Sequence, residues 1–194
     1  VSFDTSNENK TRQDLTQFDQ IWLFAYGSLL YKVDFDYIEK RPAYITGWAR
    51  KFWQGSHDHR GTHQAPGRVV TLVPQPNTQC HGIAYKVTPQ VFEHLDIREK
   101  NGYLRHQTTL HLNQGDTKQG IIYIADKHNA AYLGPAPVDE MAKQIHRCHG
   151  PSGANRDYLL ALNQSLNILG IQDPNIQQLA AAVLGLNDKQ LSDE

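Results

Sequence analysis

The sequence predicts an α+β fold, and three observations carry that prediction. Strand-type segments crowd the first two thirds of the chain, helical ones fill the last third, and no internal repeat or linker divides them. Such segregation argues against an alternating βαβ arrangement with a parallel sheet. The 194 residues suffice for one domain with a real core. We expect a polar, mobile tail over residues 1–20, a single domain over 21–185 and a polar C-terminal tail over 186–194.

Residues 1–17 are rich in Asn, Thr, Asp, Lys and Gln with almost no apolar pattern, which suits a tail or a short frayed helix. Strands are expected at 21–26, 43–52, 68–73, 80–87, 104–112 and 120–125, where β-branched or aromatic residues meet Gly, Pro or Asn boundaries. The stretch 104–112 alternates only in part, as a half-exposed strand does. A first helix is expected from Thr88-Pro89 through Leu95, with Thr88 as N-cap and Pro89 at the first helical position. A second spans 137–148 and ends against His149-Gly150-Pro151. A third spans 152–169, with Tyr158, Leu159, Leu162, Leu166 and Leu169 near helical spacing. The fourth spans 176–184, and Gly185 is its natural stop.

Composition narrows the class. With 39% hydrophobic and 20% charged residues the chain is of soluble globular type. A formal net charge of -1 supplies no field toward nucleic acid or an anionic membrane, so neither is expected as a partner. Two cysteines, Cys80 and Cys148, do not make a disulfide framework and fit a reducing compartment. The apolar run at 21–26 is far shorter than the ~20 residues a bilayer span needs, and it lacks the basic opening of a signal peptide. A cytoplasmic protein is expected, as a monomer or weak dimer.

Three segments hold the chemistry-bearing residues. The apolar run ends in Tyr26-Gly27-Ser28-Leu29, where glycine permits the close approach that turns backbone N–H groups toward a small anion. A plain turn after a buried strand accounts for the same residues. Glu99, after a short helix and before the Asn101-Gly102 turn and Tyr103, is the leading acid–base candidate. Its competing reading is a solvated charge run with Arg98 and Lys100, which favour the ionised form unless they point outward. Between Gln54 and Gly67 lie His57, His59 and His63, whose imidazoles could ligate zinc. No clear fourth ligand lies nearby, so no metal is assigned. Arg60 or Arg68 is a better anion contact there, because guanidinium pairs with carboxylates bidentately; Asp58–Arg60 pairing would instead hold the loop together. Cys148 beside His146 and His149 is not a nucleophile–base pair, since neighbours in sequence on a helix diverge. Trp22, Trp48 and Trp53 read as core or pocket wall. Ser152 or Asn155 is expected to cap the third helix.

Taken in order, these segments resemble the ChaC-type, glutathione-specific γ-glutamylcyclotransferases over roughly residues 22–162. The matching stretches are Tyr26-Gly27-Ser28-Leu29, Phe52-Trp53-Gln54-Gly55-Ser56, Asp58-His59-Arg60-Gly61, Pro66-Gly67-Arg68-Val69-Val70-Thr71-Leu72, Gly82-Ile83-Ala84-Tyr85, Arg98-Glu99-Lys100 with Gly102-Tyr103, Tyr132-Leu133-Gly134-Pro135-Ala136-Pro137 and Gly150-Pro151-Ser152-Gly153. His57 stands where a small hydroxyl residue is common and Asn101 where glycine is common. The resemblance implies a small mixed β-barrel flanked by helices, a substrate loop at Tyr26, Gly27, Ser28 and Leu29, and a catalytic Glu99. It implies no cofactor, and cleavage of glutathione to 5-oxoproline and cysteinylglycine. Arg60, Arg68 and Tyr103 complete the expected substrate contacts. The alternatives are lactam chemistry on another γ-glutamyl amino acid or amine, a non-catalytic module that binds γ-glutamyl metabolites, and a metal-dependent hydrolase built on the three histidines.

Overall fold

Five segments with strand chemistry close into a barrel because each can bury at least one face and none is left with an unpaired edge. The computed structural model describes residues 3–186, and the expected C-terminal tail lies outside the described residues from 187 onward. The strands are β1 (Ile21–Ala25), β2 (Glu39–Ser56), β3 (Gly67–Val87), β4 (Leu104–Leu112) and β5 (Thr117–Ile124), in barrel order β1-β3-β2-β4-β5. Five helices are described alongside: α1 (Ser6–Arg12), α2 (Val91–Arg98), α3 (Val138–Arg147), α4 (Asn155–Ile168) and α5 (Pro174–Leu184). The α+β class with a small mixed barrel is therefore the observed one. No described helix is long and apolar enough to cross a membrane.

The chain forms two compact units, residues 1–49 with 72–130 and residues 50–71 with 131–194. In the first, β1 pairs antiparallel with β3, Ile21 opposite Val87 through Ala25 opposite Ile83. On its other side it pairs parallel with β5, Trp22 opposite Gly120 and Leu23 opposite Ile121. All five residues of β1 are buried, which is why it reads as an unbroken apolar run. Its neighbours approach so closely that glycine is required on both flanks. A Cβ at Gly82 would collide with Ala25 O, and one at Gly120 would sit 2.8 Å from Trp22 O. Ile21, Leu23 and Ala25 share one period-2 face with Ile83, Tyr85, Val87, Ile121 and Tyr123, and α2 covers that face with Phe92 and Leu95. Removing a fully buried leucine such as Leu95 costs about 2–5 kcal/mol.

The second unit has its own core. α3, α4 and α5 pack on one another through Ala142 and Ile145, Leu159, Leu162 and Leu166, and Ile176, Leu179 and Val183. Asp173 caps α5 by accepting from Ile176 N at 3.3 Å, with Pro174 next to it.

Several boundaries differ from expectation. The two strands expected at 68–73 and 80–87 are one strand, β3. Pro74, Pro76 and Asn77 read as turn punctuation, yet they lie in an exposed part of the strand, where Asn77 takes φ 61°. Asparagine tolerates that left-handed conformation, and an extended strand absorbs it as a local irregularity. α2 begins at Val91, after a turn in which Val91 N donates to Thr88 O, so Thr88 is no side-chain cap; the helix runs on to Arg98. Within the stretch expected as a tail, α1 forms and its Asn9 is completely buried. The expected cap of α4 is absent as well. Asn155 instead accepts from Arg68 N and donates to Arg68 O, both at 2.7 Å, while Ser152 Oγ lies 3.0 Å from His59 Nδ1.

Candidate active site

α2 sets the site. Phe92, Leu95, Asp96 and Glu99 fall at the i, i+3, i+4 and i+7 spacing of one helical face, and the first three are buried. The helix ends as Glu99 N donates to Leu95 O at 2.8 Å. Gly102, at φ 86°, then turns the chain into β4, a conformation glycine takes without steric cost.

That placement carries the Glu99 side chain off the surface, and only 16% of it is exposed. Arg98, 11% exposed, holds the region together. Its Nε lies 3.4 Å from Glu99 Oε1. Its guanidinium also donates to Ser28 Oγ at 3.0 Å, to Lys32 O at 2.8 Å and to Asp34. One arginine thus ties the Tyr26-Gly27-Ser28-Leu29 turn to the residue next to Glu99. Burial alone would raise the Asp34 carboxyl, but the Arg98 charge and hydrogen bond overcome it and hold it below the usual range.

The turn follows β1 and winds into a single 3-10 turn, Ser28–Leu30. Leu30 N donates back to Gly27 O at 3.0 Å and Tyr31 N to Ser28 O at 3.2 Å. The N–H groups of Gly27, Ser28 and Leu29 take no acceptor among the described residues, as the first amides of any helical turn do not. Two phenols brace the turn from below. Tyr26 donates to Tyr123 O at 2.8 Å, and Tyr85 to Leu29 O at 3.4 Å. Burial, with Tyr37 nearby, pushes the Tyr85 phenol up to about 12, so it stays a donor.

Behind the site lies a buried polar group. Tyr123 donates to Asp96 Oδ1 at 2.6 Å, and Arg105 Nε stands 3.5 Å from the same oxygen. Both members of the Asp96–Arg105 pair are 4% exposed. Burial pushes the Asp96 carboxyl up, and the Tyr123 bond and Arg105 offset this only in part. The Tyr123 phenol is raised far more, by burial first and then by Asp96, with the Glu99 charge adding to it.

The remaining expected residues sit as follows. Tyr103 is buried, and its carbonyl accepts from Thr5 Oγ1 at 2.8 Å and Asn9 Nδ2 at 3.0 Å. In the second unit, Arg60 lies over the Tyr158 ring at 5.8 Å and donates to Ala154 O at 3.2 Å. Arg68 is buried and directs three of its five N–H donors to Gln144 Oε1, Phe52 O and Gly134 O. It therefore acts as a brace within that unit. His57 and His63 rings lie 5.8 Å apart while His59 turns to Ser152, and no group of three or more metal-ligating side chains occurs among the described residues.

Sequence reasoning missed Arg98 as the link to Ser28, and the group of Asp96, Tyr123 and Arg105. A signal for Asp96 was available, since an aspartate on the apolar stripe of α2 must find a buried partner. The partners themselves come from β4 and β5, which no local pattern reveals.

A mixed five-strand barrel with a largely buried Glu99 joined through Arg98 to the Ser28 turn is the class of fold and candidate site this chain presents. The model of the ChaC-like protein family matches residues 21–186, and the chain belongs to that family. Among its relatives, γ-glutamylcyclotransferase 2-3 of Arabidopsis thaliana is 42% identical, over 84% of this chain and 88% of its own length. Glutathione-specific γ-glutamylcyclotransferase 1 of Danio rerio is 39% identical, over 84% and 89%. A crystal structure of a glutathione-specific γ-glutamylcyclotransferase from yeast superposes with a TM-score of 0.83 at 32% identity, covering 89% of this chain and 99% of its own.

Proposed function

We propose that this chain is a glutathione-specific γ-glutamylcyclotransferase, releasing 5-oxoproline and cysteinylglycine with Glu99 as its acid–base group. The observation that supports the reading is the Arg98 guanidinium, which contacts both the largely buried Glu99 and the Ser28 hydroxyl. Relatives named for glutathione specificity favour this substrate over other γ-glutamyl compounds.

The substrate supplies its own nucleophile. Its α-amine attacks the γ-carbonyl, a C–N bond closes a five-membered lactam, and the amide bond to the cysteinyl nitrogen breaks. Glu99 takes the proton from the amine and returns it to the departing nitrogen, so the proton count balances without water or a cofactor. Holding the γ-glutamyl chain curled converts a flexible encounter into a near-attack geometry, an effect worth up to about 7–11 kcal/mol. The amides of Gly27, Ser28 and Leu29 suit an anionic oxygen, either the α-carboxylate or the developing oxyanion. Tyr26 is the phenol that fixes this turn to β5, and Tyr103 belongs to the loop that follows Glu99.

We also infer a cytoplasmic enzyme, monomeric or weakly dimeric; both cysteines are free thiols, as a reducing compartment permits. The test is incubation of the purified protein with glutathione and with γ-glutamyl-alanine, followed by mass detection of the fragments. Equimolar 5-oxoproline and cysteinylglycine are expected from glutathione. Preferential turnover of γ-glutamyl-alanine, or tight binding without turnover, would defeat the reading.

A further inference from the structure

The segment ahead of β1 makes a dense set of bonds to the loop that carries Glu99. Thr5 N donates to Lys100 O at 2.8 Å. Thr5 Oγ1 lies 2.9 Å from Lys100 O and 2.8 Å from Tyr103 O, one proton shared between two carbonyls. Gly102 N donates to Phe3 O at 3.0 Å, and Asp4 forms a β-bridge with Asn101. The Asn9 side chain, fully buried, donates to Tyr103 O at 3.0 Å and accepts from Arg105 N at 2.8 Å. Arg12 Nε and Gln13 Nε2 both donate to Arg105 O, at 2.8 and 3.1 Å.

We propose that residues 3–13 are a strap that positions the Glu99 loop, with Thr5 and Asn9 as its positioning residues. This deepens the cyclotransferase reading and rests on it. The Asn9 amide bonds Tyr103 O and Arg105 N as a neighbouring strand would, so it extends the pairing of β4 beyond its start. Residues 100, 102, 103 and 105 are thereby fixed from one side, immediately after Glu99. Buried carbonyl and amide groups left without these partners would drive the loop to rearrange. The strap lies ahead of residues 21–186, the range that the family model matches. Its function follows from geometry: a carboxylate that moves one proton twice depends on position far more than a group that only binds.

The test uses the full chain with Asn9→Ala, Thr5→Val and Thr5→Ser, read by kcat, by KM and by amide hydrogen exchange at Gly102 and Arg105. Asn9→Ala is expected to lower kcat about tenfold or more, and Thr5→Val about threefold or more, each with KM within about twofold. Thr5→Ser, which keeps the hydroxyl, is expected within about twofold of the parent in kcat, with parental exchange. Exchange at both amides should rise in the first two variants. If Asn9→Ala does not fold, the Thr5 pair decides. Folded variants with unchanged kcat and unchanged exchange overturn the strap, as does a rise in KM alone or an equal loss in Thr5→Val and Thr5→Ser. A parent without turnover would instead overturn the cyclotransferase reading, and exchange alone would then decide whether the strap orders the loop.

Discussion

Replacing Glu99 by Gln isolates the proton-moving role, because the two side chains share shape and differ in charge and acidity. The fold is expected to survive. Arg98 loses only its 3.4 Å contact to Glu99 and keeps Ser28, Lys32 and Asp34. The rate is another matter. An α-amine with a reference pKa of about 7.7–8.0 is roughly one-tenth free base at pH 7, so stripping that proton costs only about 1 kcal/mol. General acid–base catalysis is worth about 100- to 10,000-fold, or about 2.7–5.4 kcal/mol. Most of the effect must therefore lie in delivering the proton to the departing nitrogen. Glu99→Gln should lose about 100-fold or more at pH 7, and raising the pH to 9 should recover no more than about tenfold of that. The assay is 5-oxoproline formation by mass spectrometry on protein shown to be folded by circular dichroism. A folded variant that retains more than about a tenth of the activity refutes the role. Full recovery at pH 9 would refute the leaving-group half of it.

Other expectations concern the scaffold. Tyr123→Phe leaves buried Asp96 without its 2.6 Å donor and should destabilise by about 1–3 kcal/mol in urea titration; an unchanged midpoint would show the bond to be idle. Asn155→Ala strips both 2.7 Å bonds from the Arg68 backbone and should cost clearly more than Ser152→Ala at the exposed neighbour, whereas equal costs would show the Asn155 clamp to contribute nothing beyond a surface contact. His57 and His106 are held below their usual pKa by burial first, with His63 adding in one case and Arg12 in the other. The folded state then binds fewer protons than the unfolded chain, so stability is full above pH ~6.5 and falls as the pH drops through the histidine range. The urea midpoint should be lower at pH 5.5 than at 7.5, and His106→Gln should flatten that slope; a rising midpoint on acidification would contradict the sign.

Much of the architecture was legible because it is written in local periodicity. The continuous apolar run of β1 and the helical stripes of α4 and α5 declare themselves without tertiary information. β3 did not, since Pro74, Pro76 and Asn77 are turn signals that an exposed strand segment tolerates. α1 was legible only in part, as the short helix that is one of two readings of its polar stretch. Its anchorage comes from Thr5, Asn9 and Arg12 bonding distant carbonyls, and polar composition alone looks the same in a tail. In the candidate site, Glu99 was legible from its place after a short helix and from the family motif, while its burial comes from the i, i+3, i+4, i+7 face of α2 that the structure shows. The functions of Arg68 and Asn155 were not, because a guanidinium that braces carbonyls and an amide that clamps a backbone depend on partners 16 to 87 residues away.

The glycine flanks of β1 reach further than barrel closure. With Gly82 and Gly120 pressed against its main chain, this strand has almost no freedom to shift, and the turn it feeds inherits that stiffness. On the proposed function, a substrate held at that turn would spend little of its affinity on ordering the host. The entropy lost on association falls instead on the substrate's own rotatable bonds, so a ligand already locked in the curled shape should gain affinity where a merely larger one would not.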